Sequence, residues 1–309
     1  MEVPGVVARL GFKPYVANLD DLLGGGIPEG SWVSLYGPPG GFKTLHALAW
    51  CLAGLANRDR CVYVSTEMDY AQLKRQLDSL GWKLGNVYEK QFTNKIVEDK
   101  EYGSYEMVWV DLDSLRFWAF KLNRLVSEEK GSGGRRKLYF WYNDPTLLTH
   151  LVMTALGAVG VLERTVSEVS LDEVLYARVK DGLYGEGRSK FKVNKDVRAR
   201  VVIDSMSMFI LGRYATAGKI LTDMKVRLAA PNITYMVTSH VSKMTEEELG
   251  ANIGHIVDGR IRLWQELDEK AGEAGHHGWI VKMRETDHSR RLHSVSLEKR
   301  DQSMRIVWS

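Results

Sequence analysis

Several features that mark particular classes of protein are missing from this sequence. It has only two cysteines, Cys51 and Cys61, without a C-x-x-C or Cys/His spacing, so neither a disulfide framework nor a zinc site is supported. The longest apolar stretch, residues 147–162, is interrupted by polar side chains and falls short of a membrane span. Residues 1–12 lack the pattern of a signal peptide. We therefore expect a cytoplasmic protein without a membrane span.

Strong charge and internal repetition are also missing. The formal net charge is +3, which is too small to indicate nucleic-acid binding by itself. No repeat and no second phosphate-binding motif appears. The chain has 309 residues, 44% of them hydrophobic, which is enough for a substantial core. We interpret residues 1–309 as a single domain.

One motif organises the chain. An apolar run, Trp32–Tyr36, predicts a buried strand; it breaks at the glycine- and proline-rich residues 37–41, and helical spacing begins at Lys43. Strand, glycine loop, Lys-Thr and helix is the P-loop arrangement, in which backbone N–H groups and the helix N-terminus surround a polyphosphate. Lys43 is then expected to reach the β- and γ-phosphates, and Thr44 to ligate Mg²⁺. The predicted nucleotide contacts of the motif are Gly37, Gly40, Gly41, Phe42, Lys43, Thr44 and Leu45.

Phe42 departs from this motif, because it occupies the position where a glycine normally precedes the lysine. The departure leaves Lys43 and Thr44 in place but is expected to reshape the loop and slow turnover. The alternative interpretation of the whole stretch is an ordinary glycine–proline turn before a buried helix.

Further strands and helices alternate along the chain. Residues 60–65, 106–112, 201–204 and 235–239 read as strands, and residues 69–80 and 220–229 as helices. The segments 260–264, 278–284 and 294–308 read as closing antiparallel strands. The predicted fold class is therefore α/β: a mostly parallel twisted sheet flanked by helices, with antiparallel C-terminal strands.

Polar residues end several of the predicted parallel strands, where ligands bind in such sheets. Asp204 follows an apolar run and suits a metal-positioning carboxylate, although it could equally cap a helix. Glu67 could polarise a water in line with the γ-phosphate, or simply favour a helix N-terminus. Ser239 could contact the γ-phosphate, or be a commonplace polar strand end.

Five motifs together resemble the KaiC-like branch of the RecA superfamily of ATPases, of the single-domain archaeal or RadA-paralogue type. They are LDDLLGGGIPEG, GPPGGFKT, YVSTEMD with LDSLGW after it, VVIDS and VKMRETDH, and the resemblance covers about residues 15–114 and 197–309. It implies a RecA-like core that assembles as a ring, often a hexamer, with ATP and Mg²⁺ between subunits. It further implies that Glu67 is the catalytic base, that Ser79 lies near the nucleobase, and that His288 approaches the nucleotide.

The resemblance also implies that Lys282 and Arg284 reach the γ-phosphate bound by the neighbouring subunit. Considered by themselves, two cations spaced two apart on a strand share one face, where they can be solvated or paired with Glu285 or Asp287. Aimed at a neighbour's triphosphate, they would stabilise charge as arginine fingers do.

Two further departures limit what the resemblance implies. Met68 stands where clock-type KaiC proteins carry a second glutamate, which predicts weaker positioning of metal or water. Gly254 and His255 replace the serine–threonine pair that those proteins phosphorylate, so we do not expect self-phosphorylation.

Residues 115–197 exceed what the family core needs and are predicted to be an insertion. They include an aromatic run, residues 139–142, and a predicted helix at Pro145 that belongs to the core. Residues 178–200 carry eight basic and three acidic residues on a glycine-bearing, mobile loop. This segment could bind DNA phosphates while the aromatics stack on bases. The alternatives are a solvated hairpin with a small aromatic core, a protein-docking element, or a lid.

The sequence thus predicts a Mg-dependent ATPase that acts as a homo-oligomer. One hypothesis places its ATP cycle in DNA recombination or repair. The others are a regulatory switch that docks a protein partner without nucleic acid, and a nucleotide-binding scaffold with little hydrolysis.

Overall fold

A computed structural model describes residues 7–84, 103, 105–128, 141–142, 144–164, 191–210, 214–241, 253–268 and 273–309. The strands are β1 (Arg9–Leu10), β2 (Val16–Ala17), β3 (Ile27–Pro28), β4 (Trp32–Tyr36), β5 (Arg60–Ser65), β6 (Met107–Val110), β7 (Leu162–Arg164), β8 (Phe191–Val193), β9 (Ala199–Asp204), β10 (Ile233–Ser239), β11 (Gly259–Asp268), β12 (Glu273–Met283), β13 (Leu292–Arg300) and β14 (Ser303–Trp308). The helices are α1 (Leu19–Leu22), α2 (Lys43–Ala56), α3 (Tyr70–Leu80), α4 (Leu112–Glu128), α5 (Pro145–Ala158), α6 (Ser207–Ile210), α7 (Tyr214–Leu228) and α8 (Ile253–Ile256).

A ten-stranded sheet forms the centre of the fold, in the order β2-β14-β13-β12-β11-β4-β10-β9-β5-β6. The six strands from β11 to β6 are mutually parallel. Strands β12, β13 and β14 continue the sheet in antiparallel fashion, and β2 closes it beside β14. This confirms the predicted fold class.

The two faces of the sheet carry separate hydrophobic cores, because successive strand residues point to opposite sides. Val62 and Val64 face a core shared with α4, α5 and α7, whereas Cys61 and Tyr63 face a second core. The second core contains α2, α3 and the closing antiparallel strands. Every described residue of β4, β9 and β10 is buried, as expected for central parallel strands covered on both sides.

Most predicted elements are confirmed, and the differences lie mainly at their ends. The strand predicted at residues 106–112 ends at Val110, since the Asp111 carboxylate accepts a hydrogen bond from the Ser114 N–H (2.7 Å) and begins helix α4. The helix predicted at 69–80 begins at Tyr70, with Asp69 as its N-cap in a capping box with Gln72.

The C-terminal segment 294–308, predicted as one stretch of strand, is a hairpin of β13 and β14 turning at residues 301–302. Arg300 pairs with Ser303 at the turn, and Asp301 between them has a positive φ of 54°. The turn is therefore a local feature that the apolar pattern alone does not indicate.

Part of the predicted insertion lies outside the described residues, including Tyr139, Phe140, Lys190 and most of segment 178–200. Helix α5 begins at Pro145 and contributes to the first core, as predicted. Trp141 is 65% exposed, so the structure does not place it in a small aromatic core.

The prediction of a mobile loop over 178–200 is wrong for its last residues. Residues 191–193 form β8, and Arg200 lies in β9, only 1% exposed. Arg198 and Arg200 both pair with the buried carboxylate of Asp59. Two of the eight basic residues are therefore engaged in ion pairs with a buried carboxylate.

None of the described helices is long and apolar enough to cross a membrane.

Candidate active site

The P-loop lies directly against strand β11, and its glycines make this approach possible. A Cβ atom at Gly37 would lie 1.7 Å from the Leu263 carbonyl oxygen, and one at Gly41 would lie 2.6 Å from it. The Gly37 N–H donates to the carbonyl of Ser239, at the end of β10 (3.2 Å). The loop is thus held between two strand ends by contacts that only glycine permits.

Phe42 adopts the left-handed conformation that the missing glycine would suit (φ 62°, ψ 19°) and forms the N-cap of α2. Its ring stacks on the His276 ring of β12, with centroids 3.9 Å apart and planes at 11°. The side chain therefore makes a contact that glycine could not, at the cost of an unfavourable backbone conformation.

His46, one turn into α2, anchors the start of the helix. Its Nδ1 lies 2.8 Å from the Phe42 carbonyl, and its Nε2 accepts from the Trp308 indole N–H (2.9 Å). Since an indole can only donate, the proton of the neutral ring belongs on Nδ1. Complete burial lowers the pKa of His46 to about 4, so the ring is neutral at pH 7.

Lys43 extends into the loop and is only 7% exposed. Its ammonium donates to the Pro38 carbonyl (2.7 Å). Burial lowers the pKa of Lys43 to about 8, while the charges of Asp204 and Glu67 act in the opposite direction. A buried cation beside two carboxylates and the positive end of α2 suits an anionic ligand.

Asp204 lies at the end of β9 among hydroxyl groups. Its two oxygens accept from Tyr63 (2.8 Å) and Thr238 (2.5 Å), and the Thr44 hydroxyl also hydrogen-bonds to it. Burial raises the pKa of Asp204 above its ordinary value even though these hydrogen bonds lower it. A divalent cation beside this carboxylate would favour its ionised form.

Glu67 follows β5 and is the more open of the two carboxylates, with its side chain 43% exposed. Its Oε1 lies 3.1 Å from Nε2 of His240. The hydrogen bond from His240, with a smaller contribution from the charge of Lys43, holds the pKa of Glu67 below its ordinary value. An ionised carboxylate accessible to solvent is chemically suited to accept a proton from water.

These groups fit a magnesium-bound polyphosphate. Lys43 supplies a buried positive charge at the N-terminus of α2. Thr44 and Asp204 together present hard oxygen donors, the kind that Mg²⁺ prefers.

Lys282 and Arg284 lie in a second cluster, built around Asp258. Lys282 donates to the carbonyls of Gly254 (3.1 Å) and Val257 (2.7 Å), and Arg284 pairs with Asp258 (3.0 Å). Lys225 of α7 pairs with the other oxygen of Asp258 (2.8 Å). These cations therefore make contacts within their own chain.

The pKa values in this second cluster are shifted by burial and by the neighbouring charges. Burial raises the pKa of Asp258, but the Lys225 hydrogen bond, the Trp32 N–H and the charge of Arg284 outweigh it and leave the pKa lowered. Burial, followed by the charge of Arg284, lowers the pKa of Lys282. The cluster carries more positive than negative charge, so an incoming anion would be favoured.

The remaining predicted contacts occupy different places. Ser79 is exposed on α3, and its hydroxyl donates to Gln76 (2.7 Å). His288 has its Nδ1 2.9 Å from the Ser289 carbonyl, and the Ser289 N–H donates to the carbonyl of Leu22 in the leader, the segment before β4 (residues 7–31). Leu45 packs in the second core, and Ser239 is buried behind the loop. Their roles toward a nucleotide stay predictions.

Three residues of the site were not predicted from the sequence: Tyr63, Thr238 and His240. Tyr63 and Thr238 lie within apolar strands, and a single hydroxyl group in such a strand does not indicate a functional site. His240 follows Ser239 directly, and its position at the end of a predicted parallel strand is the feature of the sequence that could have indicated it.

A family model identifies the family of this chain. Residues 12–116 and 190–308 match the family model described as ATPase: KaiC. A UPF0273 protein of Methanopyrus kandleri is 26% identical over 293 residues, covering 94% of this chain and 89% of the relative. A UPF0273 protein of Thermotoga maritima is also 26% identical over 293 residues, covering 92% and 91%. The crystal structure of a KaiC-like protein of Pyrococcus horikoshii aligns with a TM-score of 0.58 at 18% identity, covering 97% of this chain and 99% of that one, which shows the shared fold.

Proposed function

This chain belongs to the KaiC family of ATPases, within the RecA superfamily, and from that premise we propose that it binds Mg-ATP and hydrolyses it. The observation that carries the proposal is the convergence of Lys43, Glu67 and Asp204 on the P-loop, from α2 and from the ends of β5 and β9. Each of these groups has a chemically distinct role in phosphoryl transfer to water.

Lys43 and Thr44 bind the phosphates and the metal in this proposal. The Lys43 ammonium leaves the Pro38 carbonyl for phosphate oxygens, and the P-loop N–H groups surround the same charge. Thr44 and Asp204 hold Mg²⁺, which when bound neutralises charge on the phosphates.

Glu67 acts as the general base. It takes a proton from a water whose oxygen forms the new bond to the γ-phosphorus, as the bond to the ADP oxygen breaks. Glu67 is ionised at neutral pH, because its pKa is lowered, and it can therefore accept this proton. Phe42 and Met68 differ from the residues usual at their positions, and we expect turnover to be slow.

We further propose that the site is completed by a second copy of the chain in a ring-shaped homo-oligomer. Lys282 and Arg284 would act on the triphosphate bound by the neighbouring subunit. The excess positive charge around Asp258 supports this, as does the exposure of Arg284, whose side chain is 54% accessible. The hexameric ring size and the roles of Ser79, Ser239 and His288 belong to the same proposal.

For the process that ATP hydrolysis drives, we propose DNA recombination or repair, with residues 178–200 contacting DNA. The pairing of Arg198 and Arg200 with Asp59 leaves six basic residues of this segment for such a role. Replacing Lys190 and Lys192 by glutamate should abolish salt-sensitive DNA binding. Unchanged binding would favour the alternative, a regulatory switch that docks a protein partner.

The proposed activity is tested by ATP hydrolysis of the purified protein, with and without single- and double-stranded DNA. Glu67→Gln should lower kcat by at least about 100-fold while Mg-ATP still binds, since general-base catalysis contributes about 10²–10⁴-fold. Glu106→Gln, at an exposed glutamate outside the site, serves as the matched control and should leave kcat unchanged. Nucleotide binding without turnover in the wild type would instead favour the scaffold hypothesis.

A further inference from the structure

The imidazole of His240 contacts Glu67 through one nitrogen only. Nε2 lies 3.1 Å from Glu67 Oε1, whereas Nδ1 is buried and takes no hydrogen bond within the described part of the chain. Glu67 is therefore the one hydrogen-bond partner of the ring within the described residues.

The backbone around His240 is held firmly in place. The His240 N–H donates to the Ser207 hydroxyl (2.8 Å), and the Ser207 N–H donates in turn to the Ser205 hydroxyl (3.1 Å). The preceding residue, Ser239, accepts the Gly37 N–H of the P-loop. His240 is thus fixed between the P-loop and the segment that follows Asp204.

The chemistry of the pair determines which nitrogen carries the proton. An ionised Glu67 can only accept, so Nε2 must donate to it. In the neutral ring, Nδ1 is then a bare acceptor. The charged groups that interact with Glu67 alongside His240 are Lys43 and Asp204, which also form the predicted phosphate and metal site.

We propose that His240 is a positioning residue for hydrolysis: its Nε2–H orients the Glu67 carboxylate toward the water that Glu67 deprotonates. The inference rests on the proposed function, and it adds a residue that the P-loop motif does not include. Orientation by the imidazole keeps one Glu67 oxygen engaged and leaves the other directed at the water it deprotonates.

The test compares ATP turnover and Mg-ATP binding in the wild type, His240→Ala and His240→Gln. His240→Ala should lower kcat by about 10- to 100-fold, as loss of an orienting partner typically does, with the dissociation constant of Mg-ATP changed less than about 3-fold. His240→Gln should restore most of the activity, because its amide N–H can still donate to Glu67. His277→Ala, which removes a histidine of β12, is the matched control and should leave kcat unchanged.

Three results would overturn the inference: activity of His240→Ala within about 2-fold of the wild type, a loss confined to KM, or no recovery in His240→Gln. If the wild type shows no turnover, the proposed hydrolysis fails, and ¹⁵N NMR of the His240 ring still decides the inference. We expect a single Nε2–H tautomer in the wild type that is lost in Glu67→Ala. An unchanged tautomer in that variant would refute the orienting contact.

Discussion

The rings of Phe42 and His276 stack on each other, and this contact compensates for the unfavourable backbone of Phe42. The left-handed backbone at Phe42 is disfavoured for a residue with a Cβ by about 1–2 kcal/mol, yet its ring stacks on His276 in the neighbouring strand. An aromatic pair of this kind contributes about 0.5–1.5 kcal/mol beyond its area. The stack therefore offsets much of the backbone cost and holds the P-loop against β12.

A double-mutant cycle should reveal this compensation. Phe42→Gly relieves the backbone but removes the stack, so its free energy of unfolding should stay within about 1 kcal/mol of the wild type. His276→Ala should cost about 1 kcal/mol in the wild type and almost nothing when Phe42 is already glycine. Urea unfolding of the four proteins measures the coupling; additive effects would mean that the stack does not stabilise the loop.

His46 makes the start of α2 sensitive to acid. Its pKa is lowered from 6.5 to about 4 by burial, so the unfolded chain binds a proton in this range that the folded chain excludes. Stability is therefore full above about pH 6.5 and is lost as the pH falls toward 4. Between pH 7 and pH 5 we expect a loss of about 2 kcal/mol from this residue.

The measurement is urea unfolding at both pH values for the wild type and His46→Gln. Glutamine can donate to the Phe42 carbonyl and accept from Trp308, but it does not titrate. The variant should lose about 2 kcal/mol less than the wild type over this interval. Equal losses would show that other groups cause the acid sensitivity.

At the scale of secondary-structure elements, Arg200 of β9 joins segments that are far apart in sequence. Its guanidinium donates to Asp59 (2.7 Å), to the Trp50 carbonyl at the middle of α2 (2.8 Å) and to the Gly11 carbonyl in the leader (2.7 Å). It also lies over the Trp50 ring, 5.0 Å from its centroid. The Arg200 guanidinium therefore connects the leader, α2 and β9.

Arg200→Met should therefore destabilise the protein strongly. It removes a donor from the Trp50 and Gly11 carbonyls and one partner of the buried Asp59 carboxylate, and breaking a buried ion pair typically costs about 3–5 kcal/mol. Arg198→Met is the matched control, because that side chain is 36% exposed and bonds only to Asp59 among the contacts described here; its cost should be about 1 kcal/mol. Similar thermal midpoints for the two variants would contradict the structural role of Arg200.

In the proposed oligomer, the residues that act on one triphosphate come from two neighbouring subunits. Lys43 belongs to the subunit that binds the nucleotide, whereas Arg284 lies beside Asp258 and would act on the nucleotide of a neighbour. In a ring that mixes Lys43 and Arg284 variants, a site is complete when the subunit that binds the nucleotide keeps Lys43 and its neighbour keeps Arg284.

Mixing two inactive variants distinguishes action within a subunit from action between subunits. Lys43→Ala and Arg284→Ala should each be inactive alone, and an equal mixture should recover up to about a quarter of wild-type turnover, since a quarter of the sites combine the intact residues. ATP hydrolysis after subunit exchange gives the measurement. An inactive mixture, with mixed oligomers verified by mass, would assign both residues to the same subunit.

The local features of this protein were predictable from its amino-acid sequence. The P-loop strand, its glycines and the helix that follows were predictable, because periodicity and glycine spacing act over a few residues. The α/β class followed from the alternation of elements, and Glu67 and Asp204 were identified by their positions after apolar strands.

The contacts between residues far apart in the chain could not be predicted in the same way. Glu67 and His240 are 173 positions apart, and Tyr63 and Asp204 are 141 apart, yet each pair forms a hydrogen bond. These contacts depend on the strand order β4-β10-β9-β5, which brings strands together that do not follow one another in the chain. Sequence periodicity reports that a strand is buried but not which strand lies beside it, because that choice is made by packing across the whole sheet.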